Sequence, residues 1–259
     1  MINLKDIPKP DKEYTEEEYV KMQVEAHNNS EGDLKHYDCE ICKNKGTIAY
    51  YDRGKEKLKP CECMPKRKAN QYIEQSGLKE MFNRMNFQTF KTDKKYHATM
   101  KRLAIDFMQD DAELFLVHGQ VGSGKSHLCT AMTHRYLNNG KRFIYKKWRE
   151  LTSTLRSHVN DEEYSKIIHE LTTVKGLYID DFLKTQRGKT PSESDLKIAF
   201  DIIDGRYNKG LITILSSENG IDEIYDLDPA VGSRIFEMTK KTKHVLEIPN
   251  DDKYDMRRG

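Results

Sequence analysis

The fold is decided by the stretch Leu114-Phe-Leu-Val-His-Gly119-Gln-Val-Gly-Ser-Gly-Lys-Ser126. An apolar, strand-like run enters the pattern G-x-x-x-x-G-K-S directly, and helix-forming sequence follows it. In this context the glycines let backbone N–H groups turn inward around phosphate oxygens, and the helix N-terminus adds the positive end of its dipole. The stretch therefore predicts a phosphate-binding loop between a strand and a helix.

The loop predicts a site for ATP or ADP with Mg²⁺. Lys125 is expected to reach the β- and γ-phosphates, and the Ser126 hydroxyl is expected to ligate Mg²⁺. An ordinary glycine-rich turn is the alternative, which the flanking strand and helix disfavour. The residues predicted to contact the nucleotide here are Gly119, Gln120, Val121, Gly122, Ser123, Gly124, Lys125, Ser126 and His127.

Beyond about residue 90, apolar runs alternate with longer amphipathic stretches, which is typical of βαβ units and a parallel sheet. The predicted strands are 114–118, 142–145, 176–180, 211–216 and 244–248. We therefore predict an α/β ATPase domain with a five-stranded parallel sheet over residues 86–259. A smaller helical and zinc-binding module is predicted over residues 1–85, with residues 86–90 as the entry to the larger domain.

A second strand carries the acids that a nucleotide–Mg²⁺ site needs. Gly176-Leu-Tyr-Ile-Asp-Asp181 is an apolar run that ends in two carboxylates. Asp180 is predicted as the magnesium-side carboxylate, and Asp181 as the group that orients or deprotonates the attacking water. The alternative for either residue is a polar helix N-cap that follows the strand.

Four of the five cysteines form two close pairs, Cys39 with Cys42 and Cys61 with Cys63, separated by eighteen residues. Two such pairs can close on one tetrahedral ion, and four thiolates favour a structural Zn²⁺. Two disulfides or unliganded thiols are the alternative, disfavoured in a reducing compartment. His36 is a substitute ligand if one thiol stays out of the site.

Composition leaves the class of partner open. The chain has 259 residues, 33% of them charged, with a formal net charge of +2. This balance neither demands nor excludes nucleic acid. The sequence offers no apolar run long enough to cross a membrane, and its N-terminus is too polar for a secretory signal. A cytoplasmic protein without a membrane partner is therefore expected.

Together these motifs resemble the AAA+ class of P-loop ATPases, and within it the DnaC/DnaI type of replicative helicase loader, from about Asp38 to Arg258. The resemblance implies a polar sensor residue beside the γ-phosphate, at the end of the next strand. The candidates in this chain are Ser216 and Ser217, with Asn219 as the alternative. Glu218 stands where the family often has an asparagine, and a carboxylate there would repel a γ-phosphate unless it were paired or turned away. Many AAA+ enzymes have glutamate in place of the second acid, so the shorter aspartate here implies slow hydrolysis.

The same resemblance implies an arginine finger at Arg234, within Asp228-Pro-Ala-Val-Gly-Ser-Arg-Ile-Phe-Glu237. A guanidinium suits that role because it is always charged and presents a planar fork of donors to phosphate oxygens. An ordinary salt-bridged arginine is the alternative. The short sequence after the last strand leads us to expect no C-terminal lid domain, and Arg257 or Arg258 is a candidate second phosphate sensor.

By resemblance, the N-terminal module contacts a DnaB-type replicative helicase, and the ATPase domain self-associates into an ATP-dependent hexameric ring or spiral. The predicted function is an ATP-dependent loader that places the helicase on single-stranded DNA at the initiation of replication, encoded by a bacterial chromosome or a phage. The alternatives are an IstB-like transposition ATPase and a nucleotide-switched DNA-binding adaptor with negligible turnover.

Two segments are candidates for single-stranded DNA contact. Lys146-Lys-Trp-Arg149 combines positive charge with the only tryptophan, a residue that can stack on bases. Lys184, Arg187 and Lys189 follow the acidic strand. Core packing is the alternative for Trp148, and a solvated surface is the alternative for the cations.

Overall fold

The structure is a computed structural model, and it describes residues 14–110, 112–158, 161–186, 189–241 and 243–255. The described residues fall into two compact units, one through Asn70 and one from Gln71 onward. A domain boundary at residue 85 stays a prediction. Arg187, Arg257 and Arg258 lie outside the described residues.

The first unit is built from one helix and one hairpin. Helix α1 (Glu16–Asn29) begins at a capping box, in which Thr15 and Glu18 each bond the other's backbone N–H. Strands β1 (Thr47–Asp52) and β2 (Lys55–Pro60) pair antiparallel. Both residues between them have positive φ, as a tight two-residue hairpin turn requires. The helix contacts the hairpin through the Asn28 amide, whose Oδ1 accepts from the Ala49 N–H at 2.9 Å.

The second unit follows the alternating pattern of strands and helices that the sequence predicts. Its strands are β3 (Leu114–Gly119), β4 (Phe143–Lys147), β5 (Gly176–Phe182), β6 (Ile212–Ser217) and β7 (Val245–Ile248). The helices from the junction onward are α2 (Met64–Ser76), α3 (Lys79–Arg84), α4 (Lys95–Gln109), α5 (Lys125–Asn138), α6 (Trp148–Ser157), α7 (Glu162–Leu171), α8 (Glu193–Tyr207), α9 (Ile221–Leu227) and α10 (Pro229–Met238), with a 3₁₀ turn at Asp252–Tyr254.

The five strands form one parallel sheet in the order β4-β5-β6-β3-β7. The prediction of a five-stranded parallel α/β domain is confirmed. Parallel strands end at a common edge of the sheet, so the C-terminal ends of β3, β5 and β6 lie side by side there. These are the strand ends that carry the phosphate-binding loop, the two acids and the predicted sensor.

Both faces of the sheet are buried, as alternate residues of β3 show. Leu114 and Leu116 pack into the cluster on the α6–α10 face, whereas Phe115 and Val117 pack with α4 and α5. Trp148 belongs to the first cluster: it is 1% exposed and meets the Phe182 ring edge-on at 4.9 Å. Base stacking by Trp148 was therefore the wrong interpretation, and its core-packing alternative is confirmed.

Within the ranges that the structure describes, no helix is both long and apolar enough to span a bilayer.

Candidate functional site

The phosphate-binding loop has the backbone shape that its glycines predict. Gly119, Gly122 and Gly124 all have positive φ, at 106°, 81° and 89°, a region that residues with a Cβ rarely adopt. Gly119 also passes so close to β7 that an added Cβ would lie 2.0 Å from the Ile248 carbonyl oxygen. The glycine at this position is therefore required by packing as well as by backbone conformation.

Lys125 lies in the first turn of α5 and is nearly fully buried. Its ammonium donates to the carbonyl oxygens of Gly119 and Gln120, each at 2.7 Å. Burial lowers the pKa of Lys125, and the negative charges of Glu218 and Asp181 only partly offset that effect. A desolvated cation inside the loop is stabilised by an anionic ligand, which is what a phosphate-binding role requires.

The predicted magnesium ligands are in direct contact. The Ser126 hydroxyl donates to Asp180 Oδ1 at 2.8 Å, which links residues 54 positions apart in the sequence. Hydroxyl and carboxylate oxygens are the ligands that Mg²⁺ prefers beside phosphates. The two oxygens therefore fit a Mg²⁺ ion held between the loop and β5.

Three neighbouring strands orient the Asp180 carboxylate. Tyr178 on β5 donates to Oδ1 at 2.8 Å, and Tyr145 on β4 donates to Oδ2 at 3.3 Å. The Ser216 hydroxyl of β6 also donates to Oδ1. Burial raises the pKa of both tyrosines, so they remain protonated donors. Sequence reasoning missed both tyrosines, although Tyr178 lies two residues before Asp180 and so on the same side of the strand.

A bulge at the end of β5 positions the second acid. Ile179 pairs with Leu215 and Phe182 pairs with Ser217, so Asp180 and Asp181 together oppose one residue of β6. Asp181 has a φ of 57°, and its N–H donates to the Ser216 hydroxyl at 3.1 Å. Bulges beside active sites commonly re-aim a side chain. Here the bulge brings both acids to the strand end.

Asp181 lies in a cluster of three charges. Lys184 Nζ is 3.3 Å from both carboxylate oxygens of Asp181 and 2.9 Å from Glu218 Oε1. Burial alone would lower the pKa of Lys184, but the hydrogen bond to Glu218 and the charge of Asp181 outweigh it, and the pKa is raised. Glu218 is therefore paired with Lys184, which reduces the repulsion that its carboxylate would otherwise exert on a γ-phosphate.

The two candidate sensors on β6 differ in what they contact. The Ser216 hydroxyl contacts Asp180, as described above. The Ser217 hydroxyl is buried, donates to the Phe182 carbonyl at 2.8 Å and accepts from the Asn219 N–H at 3.0 Å. The structure thus brings Ser216 directly to the Asp180 carboxylate, and nucleotide contact by Ser217 stays a prediction.

The remaining loop residues have varied surroundings. Val121 is 48% exposed, and the Ser123 hydroxyl closes the loop by donating to the Gln120 carbonyl at 2.7 Å. The His127 imidazole lies within hydrogen-bonding distance, 3.2 Å, of both the Asn86 carbonyl and the Thr89 hydroxyl. His127 therefore contacts the segment that enters the domain, and its predicted nucleotide contact stays a prediction.

Arg234 lies on α10 and contacts α8. Its Nε donates to Asp204 Oδ1 at 2.7 Å and its Nη1 to the Ala230 carbonyl at 2.9 Å. The guanidinium carbon is 4.9 Å from the centre of the Phe200 ring and 5.9 Å from that of Tyr207. Within one chain Arg234 is thus a partly buried, ion-paired residue, and its role as an arginine finger stays a prediction.

The four predicted zinc ligands come together in the first unit. Cys39, Cys42, Cys61 and Cys63 are all buried, and their sulfur atoms lie within 4.8 Å of one another. Cys39 Sγ is 3.8 Å from Cys61 Sγ, and Cys42 Sγ is 3.6 Å from Cys63 Sγ. Tetrahedral zinc with Zn–S bonds of about 2.3 Å needs sulfur atoms about 3.8 Å apart. The cluster therefore fits Zn²⁺, with His36 outside it.

Arg67 supports the cysteine cluster from a position that sequence reasoning missed. It is 5% exposed, its Nη1 donates to the Lys35 carbonyl at 2.7 Å, and its guanidinium lies within electrostatic range of Cys63 and Cys42. Four thiolates around Zn²⁺ carry a net negative charge, which a buried guanidinium offsets. The basic run that follows Cys63 is the signal that could have identified it.

A phosphate-binding loop after β3, with Ser126 in contact with the Asp180 carboxylate on β5, in a sheet of order β4-β5-β6-β3-β7, defines an ATP-binding domain of the AAA+ P-loop class. The profile of the IstB-like ATP binding protein family matches residues 60–258. The chain belongs to this family.

Three known proteins illustrate its relationships. The chain is 29% identical over 228 residues to the phage-like element PBSX protein XkdC of Bacillus subtilis. The aligned region covers 82% of this chain and 84% of that protein. It is 26% identical over 124 residues to the replicative helicase loader DnaC of Buchnera aphidicola, 44% of this chain and 49% of that one. The crystal structure of DnaI matches with a TM-score of 0.53 and 17% identity, over 66% of this chain and 93% of that one.

These comparisons confirm the resemblance to DnaC/DnaI-type AAA+ proteins that the motifs predicted. The chain spans about half the length of the DnaC loader that it matches.

Proposed function

We propose that the protein is an ATP-dependent helicase loader, which binds a DnaB-type replicative helicase and helps to place it on single-stranded DNA. The observation that carries the ATP-dependent part is the contact between Ser126 and Asp180 at 2.8 Å, beside a buried Lys125. This arrangement can hold the phosphates and Mg²⁺ of a nucleotide with little rearrangement. The sequence similarity to a DnaC loader supports the helicase part.

In this proposal ATP is a switch. Bound ATP favours self-association into a ring or spiral, and slow hydrolysis through Asp181 permits release. Arg234 of one subunit would complete a neighbour's site, for which it would have to exchange its bond to Asp204 for one to phosphate.

The first unit has the surface that a protein partner would use. Most of the large exposed apolar side chains of the described residues belong to it: Tyr14, Tyr19, Met22, Leu34, Ile41, Tyr50, Leu58 and Met64. Exposed apolar groups on so small a unit are typical of a protein interface. We propose that this surface contacts the helicase and that zinc holds it in shape.

Contact with single-stranded DNA is proposed for a basic groove of 740 Å³ between α6 and the segment after β5. Four cations, Arg149, Arg156, Lys184 and Lys189, line it together with the acids Glu150 and Asp195. Arg156 is paired with Asp195 at 3.0 Å and Lys184 with Glu218 at 2.9 Å, so both would share their charge with DNA. Positive charge along a groove fits a nucleic-acid backbone. Because Trp148 is buried, this groove would bind mainly through phosphates, so affinity should fall steeply with salt.

A binding experiment with purified DnaB-type helicase tests the proposal. Complex formation would be measured with and without ATP for the wild type, for Ile41→Lys in the first unit, and for the control Tyr225→Lys in α9. Ile41 and Tyr225 are 65% and 49% exposed. We expect loss of binding only in Ile41→Lys. Absence of binding by the wild type under any nucleotide condition would refute the loader function.

An IstB-like transposition ATPase is the second candidate, favoured by the family profile that matches residues 60–258. Capture of a transposase and not a helicase from a host lysate, with the full chain as bait, would support it. ATPase activity measured with and without single-stranded DNA separates both functions from a DNA-binding adaptor with negligible turnover.

A further inference from the structure

Lys184, which also lines the proposed DNA groove, has a place beside the nucleotide site that neither the motifs nor the family profile assigns. It follows the bulged end of β5, and its ammonium joins two carboxylates from separate strand ends, Asp181 at 3.3 Å and Glu218 at 2.9 Å. The side chains of these three residues are 31%, 42% and 40% exposed respectively. Water can therefore reach the cluster, and so can a ligand.

The cluster also lies within electrostatic range of the phosphate-binding loop. Asp181 directly follows Asp180, whose carboxylate contacts Ser126 of the loop at 2.8 Å, and Glu218, Asp181 and Lys184 are the three charges that act most strongly on the Lys125 ammonium through space. A γ-phosphate bound at Lys125 would therefore feel the same three charges. Without the lysine it would meet two carboxylates, and like charges at close range strongly disfavour binding.

We propose that Lys184 is a positioning residue of the nucleotide site, which holds Asp181 and Glu218 together and cancels enough of their charge for a γ-phosphate to approach Lys125. This inference rests on the proposed ATP-dependent function. It explains how the chain accommodates a glutamate next to its sensor strand. The lysine acts through the two carboxylates, so its effect depends on Glu218 being charged.

An ordinary surface salt bridge makes a different prediction. Such pairs contribute little to stability, and their loss affects all ligands alike. The proposed role instead concerns the γ-phosphate alone, because ADP lacks the group that the two carboxylates would repel. The ratio of the ATP and ADP dissociation constants therefore separates the two roles.

The experiment measures binding of ATP and ADP, each with Mg²⁺, to the full chain and its variants at low salt. We expect Lys184→Met to weaken ATP binding by about tenfold, the order of effect of one close charge pair at a protein surface, with ADP binding nearly unchanged. Lys184→Arg should keep most of the ATP affinity. The control is Lys197→Met, which removes a lysine paired with Asp201 at 2.7 Å on α8 and should change neither constant.

The dependence on Glu218 gives the second arm. Lys184→Met combined with Glu218→Gln should recover most of the lost ATP affinity, because the repelling charge is gone. Glu218→Gln alone should bind ATP as tightly as the wild type or more so, a result that can be obtained even if Lys184→Met fails to fold.

Equal losses of ATP and ADP affinity in Lys184→Met, or no loss, would overturn the inference while leaving the proposed function intact. Weaker ATP binding in Glu218→Gln would also overturn it, since Glu218 would then assist the nucleotide. A wild-type chain that binds neither nucleotide would refute the proposed function itself, and the inference with it.

Discussion

The two roles open to Arg234, a structural ion pair and an arginine finger, predict different outcomes for one pair of variants. Arg234→Ala removes the bonds to Asp204 and Ala230 and the contact with the Phe200 ring. Asp204→Asn breaks the same ion pair but leaves the guanidinium in place. Comparison of the two variants therefore separates the loss of the salt bridge from the loss of the arginine.

The structural cost of Arg234→Ala can be worked out from these contacts. Both partners of the ion pair are about one quarter exposed, so the pair contributes about 1 kcal/mol or less. The contact with the aromatic ring adds about 0.5–1 kcal/mol. A total of about 1–2 kcal/mol would lower the melting temperature of a domain of this size by about 2–8 °C. Asp204→Asn should cost somewhat less, since the ring contact remains.

The cost in activity should be far larger if Arg234 acts on a neighbour. Arg234→Ala should bind ATP nearly normally yet lose assembly-dependent hydrolysis by a factor on the order of 10³, as for arginine fingers in other NTPases. Asp204→Asn should keep its activity, because its arginine is free to reach phosphate. The assay is steady-state hydrolysis against protein concentration, with thermal unfolding of each variant measured in parallel.

A mixture completes the test. Arg234→Ala subunits retain Asp181, and Asp181→Asn subunits retain the finger, so co-assembly should partly restore hydrolysis. Two results would refute the finger: a mixture that stays inactive despite verified co-assembly, or equal loss of activity in Asp204→Asn and Arg234→Ala. Arg234 would then be a structural residue of the contact between α8 and α10.

Three further predictions concern the two sites. Purified protein should contain one zinc ion per chain. Joint substitution of Cys61 and Cys63 by Ser should release the zinc and unfold the N-terminal unit alone. A zinc content below about half an equivalent per chain, measured by elemental analysis, would count against a four-ligand site. Lys125→Ala should abolish ATP binding, whereas Asp181→Asn should bind ATP but hydrolyse it at least about tenfold more slowly, and unchanged turnover in the latter would remove Asp181 from catalysis. Gly119→Ala should unfold at a markedly lower denaturant concentration than Gly77→Ala. Both glycines have positive φ, but of the two only Gly119 would place a Cβ within 4 Å of another atom, the Ile248 oxygen at 2.0 Å. Equal unfolding midpoints for the two variants would show that the loop can move away.

The elements that local pattern determines could be predicted from the sequence. The apolar run of β3 was predicted at 114–118 and lies at Leu114–Gly119, and the weaker last strand was predicted at 244–248 and lies at Val245–Ile248. Residues 64–84 form two helices, α2 and α3, because Gly77 interrupts them with a φ of 67°. Burial of apolar faces governs all of these segments, and its period is visible in the sequence.

What could not be predicted depends on contacts between distant segments. The exposed, lysine-rich strand β2 carries no apolar alternation, so its pairing with β1 is not visible in its residues. The partner of Glu218 is Lys184, and these residues come together only because β5 and β6 are adjacent and β5 ends in a bulge. The register of such a bulge depends on the partner strand, which local spacing does not specify.

The donors around Asp180 determine what a magnesium ion would meet on entering the site. Tyr145, Tyr178 and Ser216 come from three adjacent strands, so the carboxylate is held by the sheet itself. The fourth donor, Ser126, belongs to the loop and contacts the same Oδ1. Because the Ser126 hydroxyl donates its hydrogen to Asp180, its oxygen lone pairs stay available to a Mg²⁺ ion. A ligand oriented in advance loses little freedom on binding. The sheet thus orients the magnesium ligand during folding, and the hydrogen bonds that a phosphate would have to replace are those of Lys125 to the Gly119 and Gln120 carbonyl oxygens.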